Sequence, residues 1–220
     1  MKRQALILML MMAFCAVGAF AAPKKGTMTD PRDGKTYKTT KIGKQTWMAE
    51  NLNYWIRDSH CYGDRKIDFP VDAYAVQDSN CAKHGRLYTW NAALQACPTG
   101  WHLPSKKEFE VLLKAVGGKL GKEGDRWYGA GKKLKSTSGW LDRNDKDRSG
   151  DDAFGFSALP SGIMERDGFY SPNGAFFWTS TENEKINQFA YFMRTYYDDN
   201  EAYLYDDFMD YGFSVRCVKD

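Results

Sequence analysis

The chain has 220 residues, 31 Lys and Arg against 28 Asp and Glu, and 15% aromatic residues. A net charge of +3 makes no field able to steer polyanions, which argues against nucleic acid as a partner. Losing Lys2 and Arg3 with the leader described next would bring that balance to +1.

Met1-Lys2-Arg3 is a short basic region, residues 5–20 are apolar, and Ala19-Phe20-Ala21 has the small-x-small form of a cleavage site. Residues 1–21 are therefore expected to be a signal peptide. Cleavage near Ala21 or Ala22 would leave about 199 residues, enough for one domain with a sizeable core. A retained anchor is the alternative, but the apolar run is short for a bilayer. Phe14 before Cys15 is a poor fit for a lipidation site. The expectation is an exported protein of the periplasm, cell surface or medium, with no membrane span after cleavage. Residues 22–29 are a short linker in this reading, and 30–220 are the domain.

In residues 36–49 strand residues alternate on both sides of Gly43-Lys44, which predicts a hairpin with glycine first in its turn. Residues 57–83 are polar and predict a long loop. Residues 87–96 suggest a short helix with Leu87, Trp90, Ala93, Leu94 and Cys97 on one face. Ser105 stands three residues before Glu108, the capping-box spacing, and Phe109, Leu112, Leu113 and Val116 follow at helical intervals. Gly117-Gly118 supplies a left-handed stop, so a helix is expected over 105–116. Residues 130–136 predict a further helical turn, and 142–152 a charged loop. From Phe154 onward the pattern is β. Residues 186–195 place Phe189, Tyr191 and Met193 on one side, and 202–205 form a short strand. Phe213, Val215 and Cys217 then alternate with Ser214 and Arg216. Two central helices, strands at both ends and long loops make an α+β domain.

Cys61, Cys81, Cys97 and Cys217 remain after cleavage. An even count in an exported protein argues for two disulfides, with three pairings open. Cys61–Cys81 with Cys97–Cys217 is favoured, since the first closes the polar loop and the second ties the middle of the chain to its last strand. A zinc site at His60, Cys61, Cys81 and His84 competes, but adjacent His60 and Cys61 converge poorly on one ion. His102 alternates with Trp101 and Leu103, which suits a hydrogen-bonded strand residue better than a base.

No cofactor is expected apart from calcium. Asp145, Asp147, Ser149 and Gly150 match the opening of a calcium loop, with Asp151 and Asp152 close behind. Phe156 stands where the bidentate acid belongs. Asp198, Asp199, Glu201, Asp206 and Asp207 form a second acidic region. No G-x-S-x-G, H-E-x-x-H or phosphate-cradling loop occurs. The rings interleaved with charge are the ligand-binding candidates: Tyr196 and Tyr197 beside Asp198-Asp199, and Tyr203 and Tyr205 beside Asp206-Asp207. Flat rings stack on sugar faces while neighbouring acids accept from hydroxyls. Trp90, Trp101, Trp140 and Trp178 are assigned to the core.

Five segments occur in order: DPRDGKTYKTTKIGKQTWMAENLNY (30–54), GRLYTWNAALQACPTGWHLPSKKEFEVLL (85–113), GFSALPSG (155–162), FWTST (177–181) and SVRCVKD (214–220). Together they closely resemble the Fibrobacter succinogenes major paralogous domain, a family of exported bacterial proteins, over residues 30–220. Their ordering is similar to the C-type lectin-like fold, with the formylglycine-generating enzymes as the nearest group. In C-type lectins a disulfide joins a helix to the last strand, which supports Cys97–Cys217. The formylglycine-generating enzymes need a cysteine pair near the C-terminus to hold copper, and residues 191–212 contain no cysteine. Sugar-binding lectins hold calcium with EPN or QPD and WND motifs, whereas this chain has only Ser171-Pro172-Asn173. The aromatic and acidic C-terminal half, on a fold of this kind whose variable loops commonly carry recognition, leads to the expectation of a non-catalytic binding or display module, for plant cell-wall glycan or a surface protein. A structural protein of the envelope and a divergent oxygen-dependent enzyme or hydrolase are the alternatives.

Overall fold

The computed structural model describes residues 23–63 and 78–220. The leader and the middle of the polar loop, as assigned from sequence, lie outside the described residues. In chain order the elements are β1 (Lys24–Thr29), β2 (Thr36–Ile42), β3 (Gln45–Met48), β4 (Ser59–His60), α1 (Asp78–His84), β5 (Leu87–Tyr88) and α2 (Trp90–Ala96). There follow β6 (Trp101–His102), α3 (Lys106–Ala115), β7 (Lys119–Leu120), β8 (Arg126–Tyr128) and α4 (Ala130–Leu134). The last are β9 (Ile163–Glu165), β10 (Gly168–Tyr170), β11 (Gly174–Glu182), β12 (Phe189–Tyr196), β13 (Ala202–Phe208) and β14 (Val218–Lys219).

Two five-stranded sheets dominate, ordered β1-β2-β3-β14-β6 and β11-β12-β13-β8-β7. In the first, Val218 pairs with both Trp47 and His102, so the last strand joins the early hairpin to the middle of the chain. Residues assigned to a linker form β1, which pairs with β2 from Lys24↔Lys41 to Thr29↔Thr36. The hairpin of β2 and β3 is as expected. Ile42 faces Gln45, and Gly43 takes φ 59° while Lys44 stays out of the left-handed region, the II′ pattern that matches strand twist.

The capping box also forms. Ser105 Oγ accepts from the Glu108 N–H, and Glu108 accepts from the Ser105 N–H. At the other end Gly118 N–H donates to Leu113 O and Gly117 N–H to Lys114 O, with Gly117 at φ 76°. That Schellman closure fixes where the helix stops.

Helix α2 differs from its expected form. Leu87 and Tyr88 belong to β5, and the helix begins only after Thr89. Its buried face is Trp90, Ala92, Ala93 and Ala96, which turns Leu94 outward at 44% exposure. Strand β4 and most of α1 occupy described parts of the predicted loop at 57–83. Trp101 is half-buried rather than core.

The sheet of β11, β12 and β13 separates two hydrophobic clusters. Ala175, Phe177, Met193 and Leu204 face one with Phe109, Leu113, Leu134 and Trp140. Phe176, Trp178 and Phe192 face the other with Tyr88, Trp90, Phe213 and Val215. Both faces are covered, so alternation cannot reveal a core side. Along β12 the buried residues are Ala190, Phe192, Met193 and Thr195, while Phe189 and Tyr191 are only half-buried. Buried indoles keep their N–H groups paired, apart from Trp127, whose Nε1 has no partner among the described residues. Trp178 donates to Tyr88 O (2.7 Å), Trp90 to Thr179 O (2.8 Å) and Trp140 to Ser136 Oγ (2.9 Å).

Ser214 and Arg216 are as buried as the apolar residues between which they alternate. The Arg216 guanidinium donates to Asn51 Oδ1 (2.6 Å), Met48 O (3.2 Å), Ser157 O (2.8 Å) and Phe156 O. Burial pulls its pKa down to about 9, so the group remains charged at neutral pH. Next to it, Cys217 is bonded to Cys97, and Cys61 is bonded to Cys81.

Two stability predictions follow from these contacts. The Cys97–Cys217 bridge spans 120 residues and Cys61–Cys81 spans 20. Loop entropy then gives about 5 and about 3 kcal/mol. Paired Cys→Ser variants compared by urea unfolding should show the larger loss for Cys97 and Cys217. Arg216→Met leaves several buried carbonyls without a donor, each worth about 1–3 kcal/mol. Its unfolding free energy should fall by about 3 kcal/mol or more, and a loss under about 1 kcal/mol would refute the role given to this residue.

Candidate functional site

A cleft of about 440 Å³ opens over the face of β11, β12 and β13 that carries the second cluster. Its floor is apolar: Phe176, Phe192 and Phe213 with Ile163 of β9. Arg194, Tyr196, Ser171 and the carboxylates of Asp198, Asp199 and Asp207 stand around it. Register explains the assembly. Phe176 pairs with Arg194, Arg194 with Tyr203, and Phe192 with Tyr205, so one face carries all five side chains.

Arg194 is the centre of this face. Its guanidinium carbon lies 4.9 Å from the ring centroids of both Tyr203 and Tyr205, which stack on each other at 5.4 Å and 28°. Arg126 approaches Tyr203 at 5.6 Å and Tyr128 at 4.7 Å, extending an alternating row of flat side chains across β12, β13 and β8. Arg194 Nε is buried without a hydrogen-bond partner among the described residues. The walls are acidic. Burial raises the Asp199 pKa, with Glu201 and Asp198 adding to the shift against hydrogen bonds from Glu201 and Tyr203. Burial also raises the Asp207 pKa, and Asp206 and Asp210 add to it. The Tyr203 phenol is pushed up to about 12, by burial first and then by Asp199.

The four tyrosines chosen from sequence take three different places. Tyr196 lines the cleft, edge-on to Phe176 at 6.2 Å. Tyr197, one residue past β12, packs against the first cluster, with its ring centroid 5.4 Å from that of Tyr196. Tyr203 is only 8% exposed, less open than a ligand-binding ring is expected to be, because Arg194 and its neighbours cover it. Tyr205 is half-buried beneath Arg194. Sequence reasoning missed Arg194 itself. A lone cation inside an otherwise apolar strand, between Met193 and Thr195, was the available signal.

The metal candidates are not brought together. Asp147 accepts from the Ser149 N–H, Asp151 lies 3.5 Å from Lys132, and Asp152 accepts from Ser157 N–H and Oγ. Asp145 is exposed at φ 57°. Among the described residues no three His, Cys, Asp or Glu side chains form a group able to hold a metal. The Cys61–Cys81 disulfide removes both thiolates from the zinc quartet of His60, Cys61, Cys81 and His84. Burial lowers the His84 pKa, with Lys83 adding to the effect.

His102 is held between two carboxylates, as a strand residue with both ring nitrogens committed. Nδ1 lies 2.6 Å from Asp220 Oδ1 and Nε2 2.8 Å from Glu108 Oε1. Burial lowers its pKa, but hydrogen bonds to Asp220 and Glu108 outweigh that and raise it above 6.5. A raised folded-state pKa stabilises the fold fully below the unfolded value, and the contribution is lost as pH climbs through the folded value. Stability should therefore decline on going upward from about pH 6.5, and His102→Gln should flatten that part of the curve in pH-resolved urea unfolding.

No curated protein and no solved structure matches the chain. Among the described residues no helix is long and apolar enough to cross a membrane. The sequence model of the Fibrobacter succinogenes major domain matches residues 40–219, from the early hairpin to the last strand, and the chain belongs to that family.

Proposed function

We propose that this protein is an exported, non-catalytic binding module that takes an uncharged polysaccharide segment, of the plant cell-wall type, in the Arg194 cleft. The observation that carries this reading is an arginine spread over two stacked tyrosines, without an ion pair among the described residues, above an apolar floor with acidic walls. Aromatic and aliphatic surface suits the faces of sugar rings, and carboxylates with one guanidinium suit their hydroxyls. Asp198, Asp199 and Asp207 oppose an anionic ligand. The two disulfides fit an oxidising compartment. Cys97 at the C-cap of α2, joined to Cys217 before β14, supports the C-type lectin-like arrangement. Non-catalytic character is supported by the cysteines and by His102. Every described cysteine is in a disulfide, and His102 is fully engaged by carboxylates.

The test is affinity electrophoresis of the oxidised chain through gels containing soluble cellulose derivative, xylan or pectin, with calcium and with chelator. Retardation on an uncharged polymer is expected, stronger than on pectin and unchanged by chelator. Arg194→Ala and Tyr196→Ala should each weaken it by about tenfold in Kd. Passage through all three gels without delay, with an envelope protein as the only ligand, would replace the glycan reading by the structural one. Shortening of a polymer would overturn the non-catalytic assignment.

A further inference from the structure

On the other side of the β9–β10 hairpin lies a second hollow, of about 390 Å³, inside the usual range of small-molecule pockets of about 300–1,000 Å³. It is built by segments far apart in the chain: Asp58 before β4, Thr89 and Asn91 at the start of α2, Arg166 in the β9–β10 turn, and Gln188 with Met209 at the ends of β12 and β13. Backbone hydrogen bonds stitch these segments together. Thr89 N–H donates to Asp58 O (3.1 Å), Trp90 N–H to Met209 O (2.9 Å), and Met209 N–H to Gln188 O (2.9 Å). The hollow is thus formed by the fold itself.

Apart from the paired Arg166 and Asp210, its polar side chains are uncommitted. Thr89 occupies the N-cap of α2, a position where a hydroxyl ordinarily accepts from the first helical turn, yet its side chain makes no capping bond. Among the described residues the side chains of Asn91, Gln188 and Asp58 have no hydrogen-bond partner, although all three are exposed at the hollow. Two of these residues hold a left-handed backbone without being glycine, Asp58 at φ 62° and Gln188 at φ 65°. For glutamine that conformation costs about 1 kcal/mol or more. Arg166 and Asp210 neutralise each other at 2.5 Å, and Phe208 and Met209 supply apolar surface.

We propose that this hollow is a second binding site, for a neutral, hydroxyl-rich ligand such as a terminal sugar ring. Two side-chain amides each offer a donor and an acceptor, a hydroxyl offers both, and Asp58 accepts, which is the mixture that vicinal hydroxyls require. The site stands independently of the Arg194 cleft and does not rest on the reading given to it.

The experiment is an amide-shift titration of the isotopically labelled, oxidised chain with xylobiose and, separately, with cellobiose. Saturable shifts at Thr89, Asn91, Gln188 and Met209 are expected for at least one sugar. Asn91→Ala and Gln188→Gly should each weaken that binding by about tenfold, and Tyr196→Ala should leave it unchanged. Glycine at position 188 keeps the left-handed backbone while removing the amide. Shifts confined to Arg194, Tyr196 and Phe176 would overturn this second site and support the cleft. No saturable shift with either sugar, or shifts at the hollow that Asn91→Ala and Gln188→Gly leave intact, would overturn it as well.

Discussion

The guanidinium of Arg216 lies wholly inside the protein and is held by backbone carbonyls of Met48, Phe156 and Ser157 and by the Asn51 amide oxygen, with no carboxylate among the described residues in contact. Desolvating such a cation is expensive, and only a full set of acceptors makes it tolerable. The four acceptors come from two stretches far from Arg216 in sequence, Met48 with Asn51 and Phe156 with Ser157, so the seat of the final segment depends on both the early hairpin and the loop around Phe156. Asn51 extends the set, donating to His84 O at 2.7 Å and to Ser214 Oγ at 3.2 Å, while Ser214 lies 2.8 Å from Ser161 Oγ. Cys217 then locks to Cys97 one residue further on. The VRCV segment is thereby the closing piece of the domain, and β14, which begins at its last residue, joins β3 to β6 within the first sheet.

A second buried cation does similar work for the cleft. Lys135 Nζ donates to Asp199 O (2.9 Å), Tyr196 O (3.2 Å) and Tyr197 O (3.5 Å), at the end of β12 and in its connection to β13. Lys132 N–H donates to Asn200 O, and Thr195 Oγ1 to Glu201 O. Helix α4 fits this close only because Gly131 has no side chain, since a Cβ there would lie 2.0 Å from Glu201 O. Burial lowers the Lys135 pKa, and the neighbouring acids Asp199, Asp198 and Glu201 oppose that shift. The acidic wall of the cleft is therefore shaped from behind by an ammonium group belonging to the protein, with its backbone carbonyls turned inward. This leaves the carboxylates of Asp198 and Asp199 on the cleft side, where they line it.

Features governed by local chemistry were legible in the sequence. The capping box, the Gly117 stop and the Gly43 turn depend on residues within a few positions of one another, and each formed as expected. Both disulfides were also legible, from spacing and from family resemblance. What was lost was facing. An alternating pattern identifies a buried side only when the other side meets water. In β12 both sides are covered, so Phe189 and Tyr191 looked like core although Ala190 and Phe192 are more deeply buried. In the final segment Arg216 and Ser214 looked like the polar side of a strand, yet they are an internal hydrogen-bonding set. The cleft suffered for the same reason. Tyr196 and Tyr205 were found by composition, but Arg194 becomes a site residue only through its pairing with Phe176 and Tyr203, and register across three strands is not written in any one of them.

The two hollows share a partition. The β9–β10 hairpin contributes Ile163 to the cleft and Arg166 to the second hollow, and it is pinned by mutual backbone bonds between Met164 and Gly212 (3.0 and 2.7 Å). On the sheet side, consecutive residues Asp207 and Phe208 belong to one hollow each. Movement of the hairpin would therefore reshape both hollows together, whereas Arg194 and Asn91 each belong to only one. Side chains at these two positions can vary without disturbing Arg216 or the Cys97–Cys217 bridge, because neither contributes to the set that closes the fold. A domain built this way separates the residues that hold it together from those that meet a ligand. Its recognition surface can then change while the VRCV closure stays the same.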